Sequence, residues 1–130
     1  VAPAWHTLFF KGVLCNLLVC LAVWIGFGAR TTADKVLGII LPVSAFVVMG
    51  FEHCVANMFF LPMGLAAKAA GFGAAVAGAE SLTAGSMLYN LSAATLGNIA
   101  GGILIVGVGY WIAYGREAHK HETEVEKLAE

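Results

Sequence analysis

The chain has 130 residues, of which 60% are hydrophobic and 12% are charged, and its formal net charge is −1. A soluble domain of this size carries about twice that share of charged residues, so the composition favours a membrane protein. A charge this close to zero gives no support for nucleic-acid binding. The three cysteines all fall in apolar runs, which does not predict a disulfide framework.

Three apolar spans predict an all-α, polytopic membrane helix bundle over residues 1–115. The first span, residues 5–29, suits one membrane helix with charged flanks and aromatic residues near one end. The second span, residues 36–67, would be about 48 Å long as one straight helix, which exceeds a bilayer core of about 30 Å. We therefore expect it to break near residues 50–53. The third span covers residues 90–115.

Polar segments join and end these spans. Residues 30–35 form a short turn, residues 69–89 form a linker rich in alanine and glycine, and residues 116–130 form a charged tail. Lysine and arginine are concentrated in the turn and the tail. The positive-inside rule places both in the cytoplasm, so we expect a multi-pass membrane protein with a cytoplasmic tail.

The centre of the second span carries the strongest functional signal. Glu52 and His53 are the only ionisable side chains, cysteine aside, between Lys35 and Lys68. Charge near the bilayer midplane costs roughly 2.5–3.5 kcal/mol, so such residues face a cavity or a partner. Broken helices at membrane depth often mark a binding site. The Glu–His pair is therefore the candidate site.

Further polar and aromatic residues accompany this pair. Phe46, His53 and Asn57 would share one face of a continuous helix, although a break would blur that register. Ordinary packing is the alternative for Phe46. Asn16 and Asn98 lie inside the first and third spans, where an amide needs a hydrogen-bond partner. For Asn16 we expect that partner on a neighbouring helix.

Two other features concern the entrance and the packing of the helices. His6 and Lys11 stand at the start of the first span. They are either ordinary surface residues, with Lys11 extending to the interface, or positive charges of a vestibule that gathers anions. Ala93, Gly97 and Gly101 recur every four residues and predict a close contact between helices.

Three segments resemble motifs of the formate–nitrite transporter family. Residues 11–24 resemble the family signature, residues 50–59 resemble its central-histidine motif, and residues 96–102 resemble its last-helix motif. The resemblance implies a six-helix, aquaporin-like subunit with broken second and fifth helices, assembled as a homopentamer in the inner membrane. This chain resembles helices four to six, so we expect the first half of the same subunit to be a partner.

The resemblance also implies a function in transport. The expected substrate is a small monovalent anion, formate first, with nitrite, hydrosulfide, acetate and lactate as alternatives. Phe46 is similar in position to an apolar constriction that strips water from the anion. Because histidine changes protonation near neutral pH, His53 can donate a hydrogen bond to the anion or give it a proton. Glu52 would support the geometry of the broken segment, and Asn57 is expected to line the pore with His53, Phe46 and Glu52. No cofactor is implied.

Two other classes of function stay open at this stage. One is a haem-binding membrane subunit with His53 as an axial ligand, which needs a second ligand at the same depth, and His6 lies too near the interface. The other is a structural bundle that only holds partner proteins. The sequence shows no nucleophile–base pair, zinc-ligand spacing or phosphate-binding loop, so we do not expect an enzyme.

Overall fold

The computed structural model describes residues 3–72 and 78–115, and the regular structure in those ranges is entirely helical. In chain order, its helical segments are α1 (Trp5–Gly28), α2 (Thr32–Val48), α3 (Cys54–Ala69), a 3₁₀ turn (Ala79–Ser81), α4 (Ala84–Ala100), a π-helical segment (Gly101–Gly107), α5 (Val108–Tyr110) and a second π-helical segment (Trp111–Gly115). The all-α prediction is confirmed.

In the part of the chain that the structure describes, two helical stretches are long and apolar enough to cross a membrane, judged by length and composition only. They are Trp5–Gly28 and the continuous stretch Ala84–Gly115. By contrast, α2 and α3 have 17 and 16 residues, so each is about 25 Å long and shorter than a bilayer core of about 30 Å. The second predicted span is thus a pair of helices, each about half the length predicted for one straight helix, with the break between Val48 and Cys54.

Two helices begin earlier than the apolar pattern predicts. α2 begins four residues earlier, because Thr31 and Asp34 form a capping box in which each side chain accepts from the other's backbone N–H, at 3.2 and 3.1 Å. α4 begins six residues earlier, because Thr83 and Ser86 form the same motif. A capping box fixes the first residue of a helix through hydrogen bonds, and hydrophobic periodicity gives no information about those bonds. The predicted tail, residues 116–130, lies outside the described residues.

The core of the fold is the contact between α1 and the small-residue face of α4. Ala93 is fully buried, and Gly97 and Gly101 are buried beside it. A Cβ atom added to Gly97 would collide with the carbonyl oxygen of Phe9, and one added to Gly101 would collide with that of Val13. The predicted close contact is confirmed, and it brings backbone against backbone.

The remaining helices are arranged around this pair. α2 packs against α1, α3 packs against α4, and the π-helical segment that follows α4 also packs against α1. The approach of α2 is close as well, because a Cβ atom at Gly38 would lie 2.5 Å from a methyl carbon of Ile25. This arrangement leaves the break between α2 and α3 beside both α1 and α4.

Gly97→Ala should lower the stability of the protein by about 1–3 kcal/mol, because the added methyl group overpacks the α1–α4 contact. Gly109→Ala is the matched control. Beyond its own stretch of helix backbone, no atom of the described residues lies within 4 Å of a Cβ at Gly109, so the change should be neutral or stabilising by up to about 1 kcal/mol. Thermal midpoints of the full-length gene product in detergent measure both. Equal midpoints for the two variants would contradict the packing role of Gly97.

Candidate functional site

The break begins with a glycine-based end to α2. Phe51 N–H donates to the carbonyl oxygen of Phe46 at 3.0 Å, and Gly50 N–H donates to that of Val47 at 3.1 Å. These two bonds form a Schellman motif, which satisfies carbonyl groups at the end of a helix. Gly50 has φ of +63°, a left-handed conformation that glycine adopts without steric penalty. The polypeptide therefore leaves the helix just before Glu52.

His53 forms the N-cap of α3. Its Nδ1 atom accepts a hydrogen bond from Ala56 N–H at 3.4 Å, and its carbonyl oxygen accepts from Asn57 N–H at 2.8 Å. Because Nδ1 is an acceptor, the proton of the neutral imidazole is on Nε2. Within the described residues Nε2 has no hydrogen-bond partner. The ring therefore keeps one N–H donor for a ligand.

Asn98 of α4 ties the break to α1. Its Oδ1 atom accepts from Cys54 N–H at 2.9 Å, and its Nδ2 atom donates to the carbonyl oxygens of Glu52 and Gly12, each at 2.9 Å. The backbone carbonyl oxygen of Asn98 accepts from Asn16 Nδ2 at 2.6 Å. This is the bond to a neighbouring helix that we expected for Asn16. Asn98 as a whole is 6% exposed, so these hydrogen bonds replace bonds to water that the buried groups cannot reach.

The Glu52 carboxylate is held by two amide side chains. Its Oε2 atom accepts from Asn57 Nδ2 at 2.6 Å and from Asn90 Nδ2 at 3.0 Å. Asn57 Nδ2 also donates to Asn90 Oδ1 at 2.8 Å. Hydrogen bonds to an ionised carboxylate are stronger than those between neutral groups. The three side chains therefore connect the break, α3 and α4, and they use the carboxylate as a structural acceptor.

An open cavity of about 420 Å³ lies beside His53, between α1, α3 and the stretch that begins with α4. Its polar side chains come from Asn16, His53, Thr95 and Asn98, and most of the remaining wall is aliphatic. The Phe46 ring is not part of the wall but stands against the His53 ring, with 5.6 Å between centroids. The cavity is large enough for a small ligand and offers it a few polar groups on an apolar wall.

Some predicted site residues lie away from this cavity, and two residues were missed. The polypeptide turns at the break, so Asn57 bonds to Glu52 instead of lining the wall. Lys11 is half-buried on α1 and is not among the lining residues. Asn90 and Thr95 were not predicted from the sequence. The spacing to Asn98 could have indicated Thr95. It lies one helical turn before that asparagine on the same apolar helix, so the two side chains share one side of the helix.

A second cavity of about 320 Å³ lies between α1 and the end of the α4 stretch. Its wall is aliphatic and aromatic and includes Trp24 and Tyr110, whose rings meet edge to face at 5.2 Å. It contains no charged side chain among the described residues. Within residues 3–72 and 78–115, no group of three or more His, Cys, Asp or Glu side chains could hold a metal ion. The cavity beside His53 is therefore the candidate site.

Comparison with known proteins identifies the family. Residues 1–112 match a family described as formate/nitrite transporter. This chain belongs to that family. The formate channel FocA of Escherichia coli (strain K12) is 44% identical over 118 residues, which cover 85% of this chain and 41% of the relative. The probable formate transporter of Methanothermobacter thermautotrophicus is 41% identical over 113 residues, which cover 87% of this chain and 37% of the relative.

Solved structures agree with this assignment. A structure described as a pentameric formate channel with formate bound aligns with a TM-score of 0.76 at 45% identity, over 86% of this chain and 47% of that one. A second, described as an FNT family ion channel, aligns with a TM-score of 0.72 at 39% identity. The chain thus spans less than half the length of these relatives. Its family comprises membrane channels and transporters rather than enzymes.

Asn98→Leu should destabilise the protein by about 3 kcal/mol or more. The leucine keeps the volume but leaves the Cys54 N–H and the Glu52 carbonyl group of the break without their partner, and each such loss costs about 1–3 kcal/mol; the bond to Gly12 of α1 is lost as well. Ser44→Leu places the same side chain at an exposed position of α2 and should leave stability unchanged. Thermal midpoint and yield in detergent measure the difference. An Asn98→Leu protein as stable as the Ser44→Leu protein would show that the amide does not hold the break.

Proposed function

We propose that this chain forms part of a membrane channel for small monovalent anions, with formate as the substrate, and that His53 contacts the anion. One observation carries the proposal: His53 keeps a free Nε2–H donor beside a largely apolar cavity, in a chain related to proteins named as formate channels. Nitrite, hydrosulfide, acetate and lactate are the competing substrates. Flux of all five anions into proteoliposomes at several pH values separates them.

The start of α3 supports anion binding at this place. Val55 lines the cavity, and its backbone N–H has no partner within the described residues. Such free N–H groups are normal in the first turn of a helix, where the helix dipole also favours negative charge. An anion beside His53 would therefore meet both a side-chain donor and the positive end of a half-length helix.

Apolar surroundings make a proton useful to the transported anion. The Phe46 ring stands against the His53 ring, so an anion that reaches the histidine loses water on that side. An imidazole that also carries a proton on Nδ1 can give its Nε2 proton to formate and becomes neutral again, and the neutral formic acid then crosses the apolar step without a charge. Protonation at Nδ1 also removes the lone pair that accepts from Ala56 N–H, so the proton and the N-cap compete for one atom.

The other residues of the site act on its geometry or its field. Glu52 and Asn57, with Asn90, hold the broken segment in place. Asn98 attaches that segment to α4 and α1, and Asn16 joins α1 to α4. The positive charge of Lys11 raises the local concentration of anions at the entrance.

We further propose that the chain corresponds to helices four to six of a six-helix subunit, and that the first half of the subunit closes the pore. The open cavity and the coverage of less than half of each relative support this. The pentamer named for the related solved structure supports a homopentamer. The protein would cross the inner membrane several times, with residues 116–130 in the cytoplasm.

His53→Asn should keep the fold, because asparagine is also a good N-cap, and should remove the pH dependence of formate-driven acidification of proteoliposomes between pH 5 and 8. We expect the rate of formate-driven acidification to fall about ten- to a hundred-fold, because the anion loses a hydrogen-bond donor at the energy barrier of transport. His6→Asn, at an exposed position at the start of α1, is the matched control. A pH profile identical to that of the wild type would exclude His53 as the proton donor.

The purified, transport-active assembly should contain further helices besides those of this chain, either fused to it or on a second polypeptide. Denaturing gels and intact-mass spectrometry detect them. Further helices are needed because water could reach the anion through an open cavity. The anion would then meet no apolar barrier during transport. An assembly of the 130-residue chain alone that transports formate selectively would refute this part of the proposal.

A further inference from the structure

Thr95 stands in the same cavity as His53. It lies on α4, is half-buried, and is the only residue with a hydroxyl side chain among the described residues that line the cavity. α4 brings it there because Thr95 precedes Asn98 by three positions, so the two side chains lie on the same side of the helix. Its position therefore depends on the packing that holds the break.

The Thr95 hydroxyl is not used by the fold. Within residues 3–72 and 78–115, Oγ1 has no hydrogen-bond partner, whereas the Asn98 amide is engaged in three bonds and Asn16 Nδ2 in one. No enclosed side-chain nitrogen or oxygen in that part of the chain lacks a partner, so Thr95 Oγ1 is accessible to solvent, and Thr95 is one of the residues that line the cavity. A threonine in a helix often donates to a carbonyl one turn earlier, but Thr95 does not.

Ser92, one turn earlier on α4, shows the contrast. Its hydroxyl donates to the carbonyl oxygen of Tyr89 at 2.8 Å and accepts from Trp5 Nε1 at 3.1 Å. Ser92 therefore serves the packing of α4 against α1, and it does not line the cavity. Of the two hydroxyl groups, that of Thr95 is the one free to donate to a ligand.

We propose that Thr95 is a second hydrogen-bond donor to the transported anion and makes the cavity favour anions with two oxygen atoms. This inference rests on the proposed function. Formate and nitrite present two oxygens, so one can accept from His53 Nε2–H and the other from Thr95 O–H. Hydrosulfide has a single sulfur atom and gains less from a second donor. A site built to hydrogen-bond a ligand discriminates against ligands that leave one of its polar groups unpaired.

Thr95→Val keeps the shape of the side chain and removes the hydroxyl, and Thr95→Ser restores it. In proteoliposomes of the full-length gene product, Thr95→Val should lower formate and nitrite flux about tenfold relative to hydrosulfide flux. Thr95→Ser should stay within about twofold of the wild type, as should Ser92→Ala, the control on the same helix. An equal fall for all three anions, or no fall, would overturn the proposed selectivity.

Cys54 provides a readout that does not need transport, because it also lines the cavity. A small methanethiosulfonate reagent should modify it, and peptide mapping separates it from Cys15 and Cys20. Formate should protect Cys54, and Thr95→Val should raise the half-protecting concentration about tenfold, with recovery in Thr95→Ser. An unchanged half-protecting concentration would overturn the role of Thr95.

The two readouts separate this inference from the proposed function. If formate protects Cys54 but does not cross the membrane, transport of formate is refuted. The half-protecting formate concentrations of the Thr95 variants then decide the role of Thr95 by themselves. If formate neither protects nor crosses in the wild type, both proposals fail. If formate crosses but Thr95→Val behaves as the wild type in both assays, only the Thr95 proposal fails.

Discussion

The structure depends on how the interrupted helix satisfies its backbone in apolar surroundings. A break leaves N–H and C=O groups without helical partners, and an apolar environment supplies no water to replace them. The side chain of Asn98 meets this need, since it accepts from Cys54 N–H and donates to the carbonyl groups of Glu52 and Gly12. Cys54 N–H and the Glu52 carbonyl group belong to the break, whereas the Gly12 carbonyl group belongs to α1, so the amide satisfies the break and also attaches it to α1. His53 is held in place because the residues on both sides of it are bonded to Asn98.

The same contact joins the packing of the helices to the site. Gly12 lies against Gly97, with 3.2 Å from a Cβ at Gly12 to the Cα of Gly97, and its carbonyl group receives a hydrogen bond from Asn98. A larger residue at either glycine would separate α1 from α4 and stretch that bond. Gly102 acts in a similar way, because a Cβ there would lie 2.6 Å from Asn16 Nδ2. Small residues are therefore needed here for the geometry of the break as well as for helix association.

The groups that the proposed anion would contact are those that the fold does not use. Amide side chains satisfy the broken backbone and the Glu52 carboxylate, and His53 uses only Nδ1 as a cap. His53 Nε2–H and the Thr95 hydroxyl remain at a cavity whose wall is largely aliphatic. Few donors on an apolar wall bind a desolvated anion without holding it too tightly to be released, which is the balance that conduction requires.

The sequence by itself determined the all-α class, the contact of Ala93, Gly97 and Gly101, and the family, because apolar length, four-residue spacing and motifs are local properties. It also singled out Glu52 and His53, since charge is conspicuous in an apolar run. Only the tertiary structure decided which amide satisfies which group, that Asn57 faces the carboxylate instead of the cavity, that Asn90 bonds to Glu52, and that Thr95 lines the cavity. Those facts depend on the turn after α2 and on the approach of α4 to the break, and contacts between residues more than 30 positions apart leave no periodic trace in one sequence.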